Sequence, residues 1–401
     1  MLALRLSAYT VVSALGAGLD ATLAALREQR SGLVRKPWET VALDTCIGEV
    51  DGLDSFALRD DLARFDCRNN RLAQMTLECD GFAAAVRAAI ARHGATRVGV
   101  FLGTSTSGIL SSEIAFREHE RTPAQGLWAT HDYRRTHNTY SVGDFVRTYF
   151  DLRGPAWVVS TACSSSAKVF ADAQRMIATG LIDAAIVGGV DSLCLTTLYG
   201  FNSLQLVSHA PCRPFDAQRD GISIGEAGAF ILVERADDAR AGDIVMRGIG
   251  ESSDAHHMSS PHPEGLGARH AMQAALDMAG LVPADIGYIN LHGTATPSND
   301  AAEDKGVSAL FGTATACSST KGHTGHTLGA AGGVEAIVCA LALTHGFAPG
   351  GANTREVDPR LASHYLIENA DMPGLRHTLS NSFGFGGSNA SLLLSKVEDG
   401  Q

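Results

Sequence analysis

The chain has 401 residues, a formal net charge of −11, 45% hydrophobic residues and 19% charged residues. This is ordinary globular composition, long enough for two domain-sized halves, and no low-complexity tract makes disorder the default. The acidic balance argues against a nucleic-acid-binding protein, because phosphate recognition needs clustered positive charge.

The first sixteen residues, MLALRLSAYTVVSALG, are fairly apolar, but Arg5 interrupts the run and Ser7 and Thr10 weaken it, so a signal peptide is the weaker reading. A helix is predicted from Arg71 to a cap at Gly94, followed by a buried strand, VGVFLG (98–103). AWVVS (156–160) is a second strand, and a helix runs from Cys163 to near Gly180. AAIVGGV (184–190) and AFILVE (229–234) are further strands. Residues 268–279 read as a helix stopped by Gly280, IGYINLH (286–292) as a strand, and 327–345 as a helix ending at Gly346. The alternation predicts an α/β fold with mainly parallel buried sheets. No Pro/Ser-rich linker is present; the weakest boundary lies near 240–250, so the two halves should pack into one body. No uninterrupted apolar stretch approaches the ~20 residues of a membrane span.

Eight cysteines, at 46, 67, 79, 163, 194, 212, 317 and 339, form no C-x-x-C pair. That removes zinc-ribbon and thioredoxin-like readings and points to a reducing, cytoplasmic compartment. Cys163 stands apart. In VVSTACSSSAKVF (158–170) a strand runs into a small-residue turn that places this thiol at a helix start. There the helix dipole lowers a thiol pKa and backbone N–H groups can hold an oxyanion. A buried structural cysteine is the competing reading, and the segment alone does not choose.

In YINLHGTATPSNDAAED (288–304), His292 ends a strand, and Thr294 and Thr296 alternate so that both hydroxyls can point one way. A lone histidine there is equally a satisfied core residue. In SSTKGHTGHTLGAAGG (318–333), Lys321 and His326 flank a glycine turn. His323 and His326 make an H-x-x-H pair, but no third ligand has metal-site spacing and Gly325 between them indicates a turn. SDAHHMSSPHPEG (253–265) adds histidines in what reads as a polar loop. In LSNSFGFGGSNASLLL (379–394), Phe383 and Phe385 alternate with glycine before a closing strand, as a simple hairpin or as a flexible loop carrying aromatic gates.

Cysteine in T-A-C-S-S, histidine in H-G-T-x-T-P, lysine and histidine in K-x-x-x-G-H, and the N-S-F-G-F-G-G loop occur here in one order. The chain thereby resembles the β-ketoacyl-acyl carrier protein synthases of the I/II type, over nearly its whole length from VVSALG (11–16) onward. The resemblance implies a thiolase-like αβαβα five-layered sandwich of two similar halves, 1–245 with the nucleophilic cysteine and 246–401 with the two histidines. It implies acylation of Cys163, then decarboxylative condensation with malonyl carrier protein. In that scheme His292 and His326 bind the malonyl thioester, and Lys321 orients the site with Glu303 as its partner. Thr294 and Thr296 hydrogen-bond the pantetheine arm. Phe385 gates the site beside Phe383, and its N–H shares the oxyanion hole with that of Cys163. Thr106 lies in GTSTSG (103–108), where the family lines its acyl pocket. Asn290, Glu335 and Ser380 match positions that hold a structural monovalent cation in some members. No cofactor is implied beyond the phosphopantetheine of the carrier protein, and no catalytic metal. The implied partners are an acyl carrier protein and a second subunit, identical or a related chain-length factor; no nucleic acid and no membrane span are expected.

Ala295 between the two threonines, His323 and Gly322 before His326, Thr106 and a short first strand depart from the primary synthases, and resemble instead a specialised polyene or polyketide branch, such as the aryl polyene kind. Chalcone-synthase-like and degradative thiolase enzymes would need a Cys-His-Asn set or a second catalytic cysteine. A non-elongating chain-length factor would typically lack the nucleophile, and a cysteine hydrolase would act on esters without a carrier. An acidic carrier must meet local positive charge on a chain of net charge −11. Arg68, Arg71, Arg134, Arg135 and Arg213 are the expected docking patch.

Overall fold

The computed structural model describes residues 2–121 and 131–398. Ten strands carry the architecture, five in each half. The first five are β1 (Leu4–Ser13), β2 (Val98–Gly103), β3 (Ala156–Val159), β4 (Ala184–Asp191) and β5 (Ala227–Arg235). The second five are β6 (Ile244–Ser253), β7 (Tyr288–Asn290), β8 (Ala316–Ser318), β9 (His377–Gly384) and β10 (Ser388–Lys396).

The spatial order is β3-β2-β4-β5-β1 in the first half and β8-β7-β9-β10-β6 in the second. Numbered within each half, both are 3-2-4-5-1. The directions match as well: the first three strands in each order pair parallel and the last three antiparallel. The halves meet where β1 pairs with β6, Leu4 opposite Met246 and Arg5 opposite Val245. The expectation of mainly parallel sheets is corrected here. The fifth strand of each half returns antiparallel beside the fourth, and β1 and β6 add on antiparallel, so each half is mixed.

Helices fill three layers. The outer layer of the first half holds α1 (Arg68–Leu77), α2 (Phe82–His93) and α3 (Ser141–Tyr149). The middle layer is α4 (Ser165–Ala178), followed in the second half by α7 (Ala331–His345). Between them in the chain come α5 (Leu266–Ala279) and α6 (Pro297–Phe311), the outer layer of the second half. One apolar cluster joins Leu72, Phe82, Phe145, Val100 and Ile186 on the outer face of the first half. A second joins Met272, Val307, Ile289 and Leu393 in the other half. The largest lies between the sheets around α4 and α7. The layers are thus αβαβα.

The small residues of GAAGG are explained in the middle layer. A Cβ on Gly332 would lie 2.7 Å from the Cβ and backbone N of Ala167, so the two central helices could not approach as they do. The stretch Leu328–His345 is long and apolar enough to cross a membrane by length and composition, but it is this buried central helix. The predicted helix from Arg71 to Gly94 is two helices. Asp80 at φ 53° and Gly81 at φ 70° break it, and the Asp80 carboxylate accepts the Thr10 hydroxyl at 2.8 Å. The strand predicted at 286–292 spans only Tyr288–Asn290, which leaves His292 beyond its end.

Candidate active site

Cys163 lies in the single 3₁₀ turn Ala162–Ser164, between β3 and the first residue of α4. Ala162 is left-handed, with φ 52°, a strained conformation for a residue with a side chain. The Ser165 hydroxyl holds the turn by accepting the Thr161 N–H at 2.9 Å and donating to the Ala162 carbonyl at 2.6 Å. The thiol is therefore presented from a tight, internally bonded corner.

The second half supplies the other groups. His292 follows β7, and its backbone N–H and that of Gly293 are both accepted by the Glu303 carboxylate of α6, at 2.8 and 2.7 Å. Asn381 of β9 donates to the same carboxylate at 3.2 Å. His326 follows the glycine turn, and its backbone N–H donates to the Ser223 carbonyl at 2.7 Å. The folded chain brings His326 Nε2 to 2.9 Å from Cys163 Sγ, and the rings of His292 and His326 meet edge to face, centroids 5.4 Å apart. All three side chains are buried.

Lys321 Nζ lies 3.4 Å from His292 Nδ1 and makes its ion pair with Glu335 of α7. This corrects the expected Lys321–Glu303 pair. Glu303 is occupied behind the His292–Gly293 turn, while Glu335 projects from the central helix onto the ammonium. Burial raises both carboxyls, Glu303 to about 7 and Glu335 to about 7, the latter against the lowering effect of Lys321. Burial also holds both imidazoles well below their ordinary value, with Lys321 adding to the effect, so each is neutral at physiological pH.

The expectation of a lowered thiol pKa is corrected too. Burial pushes Cys163 up to about 12; Lys321 and the Phe385 N–H lower it but do not win. At rest Cys163 is a thiol beside a neutral imidazole.

These groups open onto a cavity of about 580 Å³ that also exposes Thr294, Thr296, Phe383 and Phe385. The two threonine hydroxyls are 3.0 Å apart, and Thr296 also caps α6. Ala295 between them has φ 68°, a conformation glycine adopts without strain. The Phe383 ring lies 5.8 Å from that of His292, and the Phe385 ring 5.5 Å from that of Phe201. Loop 384–387 is tied to the polar histidine loop by the Gly386 N–H to Met258 carbonyl bond, 2.7 Å, and the Asp254 N–H to Gly387 carbonyl bond, 2.9 Å. His323 turns away from the cavity, its ring nitrogens 3.0 and 2.9 Å from the carbonyls of Arg30 and Gly350, so H-x-x-H is no ligand pair.

Asn290 Oδ1, Glu335 Oε2 and Ser380 Oγ are buried oxygens without a hydrogen-bond partner. Oxygen donors of this kind, buried and without another partner, are the type a hard cation takes.

Two expectations fail in part. Thr106 does not line the cavity: its hydroxyl donates to Asp191 at 2.8 Å and accepts the Ser192 N–H at 3.1 Å. Arg68 is buried and pairs with Glu226, Glu49 and Asp54, so it cannot meet a partner. Arg71 is bound to Asp66, Arg135 to Asp132, and Arg213 to the Gln218 carbonyl and Asp220; Arg134 is exposed.

Sequence reasoning missed Asp191, a fully buried carboxylate that accepts N–H groups of Ser105, Thr106 and Gly329. An aspartate closing the otherwise apolar AAIVGGVD was the available signal. It also missed the wall formed by Phe201, Leu206 and Ile222, and the contribution of loop residues Asp254, Ser259 and Pro261.

Comparison with known proteins adds the relationships. Residues 7–239 match the family model described as "Beta-ketoacyl synthase, N-terminal domain", and residues 244–355 that described as "Beta-ketoacyl synthase, C-terminal domain". The chain is 40% identical over 267 residues to the mitochondrial 3-oxoacyl-[acyl-carrier-protein] synthase of Arabidopsis thaliana, 62% of this chain and 58% of that protein. It is 34% identical over 331 residues to 3-oxoacyl-[acyl-carrier-protein] synthase 2 of Staphylococcus aureus, 77% of each. Among solved structures it is similar to a chain of the ketosynthase ApeO in complex with its chain length factor ApeC from Xenorhabdus doucetiae. The TM-score there is 0.92 at 40% identity, over 99% of this chain and 98% of that one. A beta-ketoacyl synthase from Burkholderia phymatum gives a TM-score of 0.87 at 29% identity, over 99% and 100%.

Proposed function

The chain belongs to the β-ketoacyl synthase family, and we propose that it condenses malonyl-acyl carrier protein with an acyl group carried on Cys163. The observation that carries this reading is the 2.9 Å approach of His326 Nε2 to Cys163 Sγ in a cavity that His292 also lines. The enzyme is a 3-oxoacyl synthase, an acyltransferase of the condensing type.

In the first stage the thiol passes its proton to His326 as sulfur attacks the carrier thioester. The tetrahedral oxyanion is met by the N–H groups of Cys163 and Phe385, and the pantetheine sulfur leaves as a thiol, taking the proton back from His326. In the second stage malonyl carrier protein enters along Thr294 and Thr296. Loss of carbon dioxide places charge on the thioester oxygen, where His292 and His326, neutral and desolvated, donate hydrogen bonds. The carbanion then attacks the acyl-cysteine carbonyl, the acyl–sulfur bond breaks, and the released Cys163 thiolate takes up a proton from solvent. Lys321, held by Glu335, donates toward His292 Nδ1 and so keeps the His292 proton on the nitrogen facing the substrate. Residues 1–245 form the half that supplies the nucleophile, and 246–401 the half that supplies both histidines. A monovalent cation held by Asn290, Glu335 and Ser380 would neutralise buried carboxylate charge behind Lys321.

The partner is an acyl carrier protein, met by Arg71, Arg134, Arg135 and Arg213, and the working unit is a dimer with a second ketosynthase-fold subunit. The similarity to the ApeO–ApeC structure over 99% of the chain supports a chain-length factor as that subunit, and the departures at Ala295, Gly322, His323 and Thr106 support a specialised polyene or polyketide branch. The presence of Cys163 in a complete site argues for the catalytic member. Eight unpaired cysteines support a reducing, cytoplasmic location.

The test is incubation with malonyl carrier protein and a panel of acyl carrier proteins, read by mass spectrometry. Acyl-Cys163 and a β-ketoacyl carrier product are expected in wild type and neither in Cys163→Ala. Product formation by Cys163→Ala would refute the assignment.

A further inference from the structure

The Cys163 sulfur and one ring nitrogen each of His292 and His326 lie within 4.8 Å of one another, and all three residues are buried. We propose that this trio is also a binding site for a thiophilic divalent cation of the zinc class, which closes over the thiol and blocks it.

Spacing supports the site. Tetrahedral zinc, with bonds of about 2.3 Å to sulfur and about 2.0–2.1 Å to nitrogen, sets its donors roughly 3.3–3.6 Å apart. The observed separations bracket that range, with Cys163 Sγ and His326 Nε2 2.9 Å apart and all three atoms within 4.8 Å of one another. Donor chemistry supports it as well: one thiol and two imidazoles are a soft and borderline set that selects zinc, cobalt or cadmium over magnesium or calcium. Each imidazole would offer its cavity-facing nitrogen, so its ring proton must move to the far nitrogen, which at His292 lies 3.4 Å from Lys321 Nζ. The fourth direction opens on the cavity of about 580 Å³, where water can complete the shell. The Lys321 ammonium, 3.4 Å from His292, opposes a second cation, but Glu335 balances it. As the metal–sulfur bond forms, the thiol proton leaves to solvent and no electron is transferred.

The proposal stands apart from the ketosynthase reading, and neither readout below is turnover. The reduced full-length chain is titrated with Co²⁺ without air. One Co²⁺ per chain should bind, with a near-ultraviolet thiolate charge-transfer band and the visible bands of a four-coordinate ion, both bleached by Zn²⁺. Cys163→Ala, and wild type already alkylated at Cys163, should lose the charge-transfer band. Zn²⁺ should slow iodoacetamide alkylation of Cys163 roughly tenfold once free metal exceeds about ten times its dissociation constant. An unchanged alkylation rate would overturn the proposal. So would a charge-transfer band that persists in the alkylated protein, which would place the metal on another cysteine.

Discussion

The Asp191 carboxylate accepts the backbone N–H of Gly329 at 2.6 Å, and this bond joins the two halves beside the turn that carries Cys163. Asp191 ends β4; Gly329 lies three residues after His326. The same carboxylate holds Thr104, Ser105 and Thr106 in the turn after β2. A Cβ on Gly329 would fall 2.8 Å from Asp191 Oδ2 and from the Ser105 N, so the turns touch with no room to spare.

Asp191→Ala should therefore be severely destabilising. It strands buried N–H groups of Ser105, Thr106 and Gly329, each costing about 1–3 kcal/mol. Urea unfolding should show a loss of at least about 3 kcal/mol. A loss confined to a few tenths would mean that water or relaxation satisfies these donors.

The Lys321–Glu335 pair makes a prediction by coupling. Removing one partner of a buried ion pair leaves an uncompensated charge and costs about 3–5 kcal/mol. Lys321→Met and Glu335→Gln should each destabilise, and the double variant should recover part of the loss. Lys321→Met combined with Glu303→Gln should show weaker coupling, since those carboxylates serve different groups. Equal coupling in both cycles would restore Glu303 as the partner.

Glu303 predicts a pH effect with a definite sign. Its folded value, about 7, lies above the ordinary 4.5 because burial penalises the charge. Its contribution to stability is therefore full below pH ~4.5 and is lost as pH rises toward 7. Glu303→Gln should flatten that part of the stability–pH curve, read as the difference in Tm between wild type and variant from pH 4.5 to 7.5. Parallel curves would show that Glu303 stays ionised throughout.

His292→Ala should keep substantial self-acylation of Cys163 but lose malonyl decarboxylation, whereas His326→Ala should lose both, because His326 also takes the Cys163 proton. Acylation is read by intact mass and decarboxylation by carbon dioxide release. Release at the wild-type rate in either variant would refute the assignment of both histidines to the second stage.

Surface charge gives the last prediction. Charge reversal at Arg134 and Arg213 together should raise KM for carrier-linked substrate, reduce its salt dependence, and spare a small thioester mimic. Arg68→Glu should instead unfold the protein, because it would put a fourth carboxylate among Glu226, Glu49 and Asp54. Equal loss toward the small thioester would remove the docking role.

Local pattern determined a good deal about this protein. The buried strands at 98–103 and 184–191 and the half-buried strand at 156–159 announced themselves as short apolar runs bounded by glycine and small residues. Cys163 and His326 stood out because a reactive side chain at a strand-to-helix corner or a glycine turn is a local arrangement, and Gly280 and Gly346 ended their helices as expected. Tertiary structure decided what depends on distant partners. Strand direction was one such matter, because an apolar run reads alike whether its neighbour runs with it or against it. Which carboxylate reaches Lys321 was another: Glu303 and Glu335 are both buried, and only packing sends one behind a turn and the other onto the ammonium. The Cys163 pKa was a third, since a helix start lowers a thiol while enclosure by two half-molecules raises it more. Arg68 and Thr106 belong to the same class, because Glu226, which pairs with Arg68, and Asp191, which holds the Thr106 hydroxyl, lie more than eighty positions away in the chain.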